Sequence, residues 1–177
     1  MKSEGKRLIA DCRIMIIGAS DFIECVKAEL HKSGFKSINI VSASDGQTIT
    51  DSIDMIVEYA GSESSCVKAN ATMPIIYPFD FVEGAGAIVI MPGDDNELQH
   101  KYNLRLWVAE YMAGYCAFWN VEGCEWLQFA LPAIREAKTS DAARRTAAHL
   151  CARIAANIAV GRNVKHFPRF YLCKNLE

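Results

Sequence analysis

Residues 13–23, Arg13-Ile14-Met15-Ile16-Ile17-Gly18-Ala19-Ser20-Asp21-Phe22-Ile23, hold the clearest chemical pattern in the chain. A short apolar run leads into Gly18 and then into a helix start, which is how a strand presents a phosphate-binding turn in nucleotide-binding α/β folds. In the full G-x-G-x-x-G arrangement the second glycine lets backbone approach pyrophosphate, and the third lets the helix pack closely on the strand. Ser20 and Ile23 occupy those positions here. Asp21 adds a carboxylate where a helix N-terminus would otherwise attract an anion. Ser42 and Asp45 follow the next apolar run, where an acidic residue can meet the ribose hydroxyl of an adenine nucleotide, NAD or S-adenosylmethionine. The simpler reading of Asp45-Gly46 is a turn. Gly18, Ser20, Asp21, Ser42 and Asp45 are therefore the candidate nucleotide-contacting positions, as a degenerate set.

Other reactive side chains carry weaker patterns. Cys116, Cys124, His149 and Cys151 match no zinc spacing, and on alanine-rich or aromatic helices such residues are expected in the core. No cysteine has a histidine partner identifiable from sequence, so no catalytic residue is assigned and no metal site is expected. Asp80, Asp94 and Asp95 read as solvated loop acids, and Arg144-Arg145 as a solvated helix face. The aromatic set Trp107, Tyr111, Tyr115, Phe118, Trp119 and Trp126 is too large for one small sheet to hide. Part of it is expected to form an exposed contact surface, such as a homodimer seam.

These residues need a scaffold, and 177 residues suit a single domain with one substantial core. Hydrophobic residues at 51% and charged ones at 23% give a globular balance rather than a disordered one. A net charge of -2, with no dense basic cluster, argues against a nucleic-acid partner. The charged N-terminus and the short apolar runs predict neither a secretion signal nor a membrane span. Seven cysteines, an odd number without any C-x-x-C pair, suit a reducing cytoplasm.

Periodicity predicts an α/β chain whose residues 1–95 form a βαβ sheet core and whose residues 96–177 are helix-rich with a closing strand. Strands are expected over 13–17, 37–41, around Met55-Ile56-Val57, over 74–77 and over 87–91. A helix over 21–33 opens on Asp21 and Glu24 in capping-box form and closes at Gly34, with Phe35 as the hydrophobic contact. A short helix is expected within 62–72, and a glycine-bearing turn over 83–86. Helices follow from Asn96, over 122–138 with Pro132 kinking or splitting it, and from an Asp141 cap to Val160 with Gly161 as the stop. An edge strand is expected over 167–172.

Three segments resemble the ThiF/MoeB/HesA and ubiquitin-E1 adenylation family. The first is Ile14 to Asp45, where Leu30-His31-Lys32-Ser33-Gly34-Phe35-Lys36-Ser37-Ile38-Asn39-Ile40-Val41-Ser42 is similar to the family's second-strand segment. The second runs from Asn70 to Pro92 through Pro74-Ile75-Ile76, and the third from Ala152 to Phe170. The resemblance implies a Rossmann-like three-layer fold with a mostly parallel sheet. It also implies ATP and magnesium as cofactors and a ubiquitin-like or sulfur-carrier protein as the substrate, within a dimer.

The family's active-site residues do not carry over. Its ribose-binding aspartate falls on Ser42, with Asp45 displaced, and its magnesium-binding aspartate falls near Gly61. No arginine occurs between Asp45 and Ser65 to neutralise a triphosphate. Without those charges adenylyl transfer loses its electrostatic stabilisation. The expectation is a non-catalytic member without a bound cofactor. It would act as a homodimer or as a pseudo-subunit beside an active family partner. The alternative is a small Rossmann-like enzyme or binding protein for an adenine nucleotide, NAD(P) or S-adenosylmethionine, and an adenylyltransferase with relocated residues ranks last.

Overall fold

A computed structural model describes residues 2–18, 21–42, 52–61, 65 and 72–175. The expectations placed on Ser20 and Asp45 lie outside these residues, as does almost all of the short helix expected within 62–72. The described chain is an α/β protein with five α-helices and one six-stranded sheet. It opens with α1 (Lys2–Asp11), which the sequence pattern did not signal, followed by β1 (Arg13–Ile17), α2 (Asp21–Lys32) and β2 (Ser37–Val41).

The two strands pair in parallel, Ile14 opposite Ile38 and Ile17 opposite Val41, so the expected βαβ unit is present. Helix α2 buries Phe22, Ile23, Val26 and Leu30. It ends as its sequence requires: Gly34 takes φ +104°, its N–H donates to the His31 carbonyl, and Phe35 N–H donates to that of Leu30 at 3.1 Å. This double bond pattern with a buried hydrophobe beyond the glycine is the Schellman arrangement. Asp21 is the first helical residue rather than the residue before it.

Strands β3 (Met55–Glu58), β4 (Ile75–Asp80), β5 (Gly84–Ile90) and β6 (Tyr171–Lys174) complete the order β2-β1-β3-β4-β5-β6. Pairing is parallel from β2 to β4 and antiparallel from β4 to β6. Arg13 fixes the entry to the sheet: its Nε and Nη2 donate to the Asp54 carboxylate at 2.9 and 2.8 Å, and its backbone N–H donates there too.

The turn between β4 and β5 lies earlier than expected. Gly84 and Gly86 are in the strand, and the reversal is made at Val82 (φ +67°) and Glu83. Glu83 N–H donates to the Phe81 carbonyl at 2.7 Å, closing a three-residue turn that a β-branched residue adopts at a cost. The Val82 carbonyl offsets that cost by accepting from Ser140 Oγ (2.5 Å) and Asn175 Nδ2 (3.2 Å). The glycines are there for packing: a Cβ on Gly84 would lie 2.3 Å from Trp126 Cη2, and one on Gly86 2.7 Å from Phe81 Cε2.

Successive residues of β1 feed opposite faces, as the strand period of two demands. Ile14 and Ile16 join Val57, Val89 and the buried residues of α2 and of α5 (Asp141–Ala159). Met15 and Ile17 join Ile56, Tyr77, Ile88 and the buried faces of α3 (Leu104–Phe118) and α4 (Glu125–Arg135). Helices thus cover both faces of the sheet.

The long helix expected from Asn96 is split. Asn96 caps a single 3-10 turn over Glu97–His100, Asn103 takes φ +47°, and α3 starts only at Leu104. Pro132 lies within α4, which runs on to Arg135. The α5 cap is Ser140, whose Oγ accepts from Ala143 N–H at 3.1 Å, not Asp141. The last strand begins at Tyr171, beyond Pro168. No helix among the described residues is long and apolar enough to cross a membrane.

Candidate functional site

The chain leaves β1 toward β2 on one side and continues through β3 on the other, so the carboxyl ends of β1 and β3 flank the crevice where open α/β sheets place ligands. Gly18 lies there, donating its N–H to the Val41 carbonyl at 3.2 Å, while Tyr59 N–H donates to that of Ile17 at 3.0 Å. Space over Gly18 is filled. A Cβ at this position would meet Ile23 Cδ1 at 3.0 Å and the Tyr59 carbonyl at 3.1 Å. Ile23, which stands at the third-glycine position, is 2% exposed. Phe22 beside it is fully buried, its ring 4.7 Å from that of Tyr59. The structure therefore gathers Gly18, Ser42 at the end of β2 and the exposed Asp21 at the start of α2 on one end of the sheet. What covers that glycine is a hydrophobic side chain.

The neighbouring strand ends carry two buried carboxylates that the sequence reading missed or misjudged. Asp80, expected as a solvated loop acid, is the last residue of β4 and has no exposed surface. Its Oδ1 accepts from the Tyr59 hydroxyl at 3.3 Å and faces Arg105 Nε at 3.4 Å; among the described residues Oδ2 has no hydrogen-bond partner. Burial raises the Asp80 carboxyl above its ordinary range, and the Arg105 charge pulls the other way. Burial, then the Asp80 charge, push the Tyr59 hydroxyl up to about 12. Arg105 bridges three segments: Nε donates to the Asp80 carbonyl at 2.7 Å, Nη2 to the Lys138 carbonyl at 2.6 Å, and its backbone N–H to that of Gly61 at 3.0 Å.

On the other face of the sheet Glu58, 2% exposed, accepts from Ser65 Oγ at 2.7 Å. That hydroxyl lies 2.9 Å from the Tyr77 hydroxyl, which accepts from Asn96 Nδ2 at 3.2 Å. Burial, followed by the Glu58 charge, raises the Tyr77 hydroxyl. Apart from Asp80 Oδ2, the polar groups named are committed to neighbours in the fold, which makes these networks struts rather than open sites. The available signal was a lone charge within an apolar run, Glu58 after Met55-Ile56-Val57 and Arg105 between Leu104 and Leu106.

Asp94 is likewise structural rather than solvated. Its Oδ2 accepts from Met91 N–H and pairs with His166 Nδ1, both at 2.8 Å, which ties the end of β5 to the segment before β6; Asp95 is exposed as expected. Arg145 is exposed, whereas Arg144 is half-buried. Of the four candidate soft ligands, Cys116 and Cys124 flank the turn between α3 and α4, whereas His149 and Cys151 lie on α5. Cys151 is fully buried, its thiol pushed up to about 12 by burial, and His149 is exposed beside Glu29. No group of three or more metal-ligand side chains occurs among the described residues.

The aromatic set divides along α3. Trp107 stacks on Tyr111 at 5.5 Å, Tyr111 donates its hydroxyl to the Pro168 carbonyl at 2.7 Å, and Tyr115 meets Phe170 edge-on at 5.2 Å. Beyond that cover the rings are open: Tyr115 is 44%, Phe118 78% and Trp119 63% exposed, and Phe129 on α4 is 80% exposed. Trp126 belongs to the core, over Gly84. Phe129 was not foreseen as part of this set. No family model and no curated protein matches this chain. The structure by itself thus defines the class, an α/β protein with a mixed six-stranded sheet covered by helices on both faces.

Proposed function

We propose that this chain is a Rossmann-like module of the ThiF/E1 type that has lost adenylation chemistry and acts through protein contact, as a homodimer. The observation that carries the reading is the open aromatic end of α3, Tyr115, Phe118 and Trp119. Monomers rarely leave large aromatic side chains exposed together, and aromatic anchors dominate association energetics. The parallel order β2-β1-β3-β4 with Gly18 after β1 supports the Rossmann-like assignment. Ile23 against Gly18, and Ser42 where a ribose carboxylate belongs, support loss of the nucleotide. The free thiols Cys12, Cys25, Cys116, Cys124, Cys151 and Cys173 fit a reducing, cytoplasmic setting.

Sedimentation of the wild type beside Phe118→Ser and Trp119→Ser tests this reading. A wild-type dimer is expected, with each variant weakening it about 30-fold, the equivalent of a hot spot of about 2 kcal/mol. A wild type that stays monomeric at every concentration overturns the contact reading. Titration with ATP and magnesium tests the other half, and binding followed by pyrophosphate exchange overturns the loss of adenylation.

A further inference from the structure

Helix α3 is apolar on its outer side as well as its inner one. Leu104, Val108, Met112 and Cys116 are buried, while Trp107, Tyr111, Gly114, Tyr115 and Phe118 are exposed or half-buried. The one charged side chain on that outer side, Glu110, is paired with Arg135 of α4 at 3.1 Å. A helix that is apolar all round is suited to burial on both sides. Trp107, Tyr111, Gly114 and Phe118 recur at spacings of four, three and four, the 3.5-residue period of a seam between two helices. Gly114 is exposed within this seam, and a Cβ built on it would meet no described atom within 4 Å. A glycine inside a helix is weaker there than alanine, and no described neighbour is close enough to require it.

We propose that two copies of this chain pair through α3, antiparallel about a two-fold axis at Gly114, where the missing side chain lets the two backbones approach. This pairing rests on the homodimer reading and adds to it the axis and the direction. Charge points to a second copy as the occupant. The Glu110–Arg135 pair leaves the middle of the outer face neutral, so like faces meet there without repulsion. The two ends of the face are oppositely charged. Lys101 Nζ lies over the Trp107 ring at 4.8 Å, and Trp107 precedes Gly114 by seven residues. Glu122, which is exposed, follows Gly114 by eight. An antiparallel pair centred on Gly114 therefore sets the Lys101 end of one copy beside the Glu122 end of the other, whereas a parallel pair sets like charges together.

Sedimentation and thermal unfolding of the whole chain test this. In Gly114→Leu the added side chain points into open space, so the unfolding temperature of the monomer should not fall. Its dimer, by contrast, should weaken about 100-fold, because leucine then stands where the two backbones meet. Lys101→Glu and Glu122→Lys should each weaken the dimer about 5-fold, and both changes in one chain should restore it. A wild-type dimer that Gly114→Leu leaves intact overturns the axis at Gly114 while the homodimer reading stands. A doubly changed chain that pairs no better than either single variant overturns the antiparallel direction. A wild type that stays monomeric at every concentration overturns both the pairing and the homodimer reading.

Discussion

Replacement of Ile23 by alanine tests whether the turn after β1 is a packed structural joint. The variant deletes three carbons from a side chain that is 2% exposed and whose Cδ1 lies 3.0 Å from where a Gly18 Cβ would stand. The transfer contribution is about 0.8 kcal/mol per carbon, or about 2.4 kcal/mol for three. A cavity contribution adds to it, because Gly18 is held by Val41 and Tyr59 by the Ile17 carbonyl, so the backbone on two sides cannot collapse inward. Alanine's better helix propensity returns only a few tenths of a kcal/mol. The expected loss is about 3 kcal/mol, within the usual 2–5 kcal/mol span for such a deletion. In urea unfolding followed by circular dichroism, that loss lowers the midpoint by about 1–3 M at the usual slopes of about 1–3 kcal/mol/M. Ile23→Val should lose about 1 kcal/mol, a third as much. The reasoning fails if Ile23→Ala loses less than about 1 kcal/mol, since the side chain would then not be filling the joint.

The two carboxylates with shifts in opposite directions give opposite pH signatures. Asp80 is raised in the fold, so its stabilising contribution is full below the unfolded value of about 3.9 and is lost as pH rises through the folded one. Asp54 is lowered, first by its hydrogen bond from Arg13, so its contribution is present above about 3.9 and is lost as pH falls through the folded value. Asp80→Asn should therefore gain on the wild type between pH 4 and 7, and Asp54→Asn should lose ground on leaving acid; urea midpoints across that range decide, and an Asp80→Asn deficit that grows with pH would refute the assignment. Gly84→Ala must push its Cβ into Trp126 and into the Cys173 carbonyl 2.4 Å away on β6. Because one of those atoms is backbone, we expect a loss of about 3 kcal/mol in thermal unfolding, and a loss under about 1 kcal/mol would mean that β6 is not held as described.

The parts of the fold legible in sequence are those whose local and tertiary signals agree. Strand β2 falls on 37–41 as expected because an edge strand alternates openly, and α2 announces its stop through Gly34-Phe35. Helix α1 was invisible because Lys2–Asp11 has only Leu8, Ile9 and Ala10 to show a period. The first half of β5 reads as a turn because Gly84 and Gly86 make room for Trp126 and Met112, residues far away in the chain. Asp80 looks like a loop acid because it follows Pro78, a residue foreign to strand interiors. The parallel pairing of β3 with β4 stops at Ile76, so Pro78 sits where β4 is paired on the β5 side alone and the strand runs on to a buried carboxylate. The candidate site was legible as far as Gly18, the loss of its partner glycines and the excess of aromatics. The occupant of the third-glycine position was legible as a residue type; its packing against Gly18 depends on how α2 lies over β1.

The closed turn and the open aromatic surface are separated by the length of α3. Arg105, at the start of that helix, is bonded to Gly61 and Asp80 at the carboxyl ends of β3 and β4, so the helix begins at the same edge of the sheet as Gly18. Its 15 residues then carry the chain away by about 22 Å at 1.5 Å per residue before Phe118 and Trp119 emerge. A protein docked on those rings would bear on the end of α3 and not on the crevice over β1. The Arg105 and Asp80 struts make the crevice end rigid, because each bond they form joins segments distant in sequence. The proposed association through α3 therefore requires no rearrangement of the sheet at the crevice end.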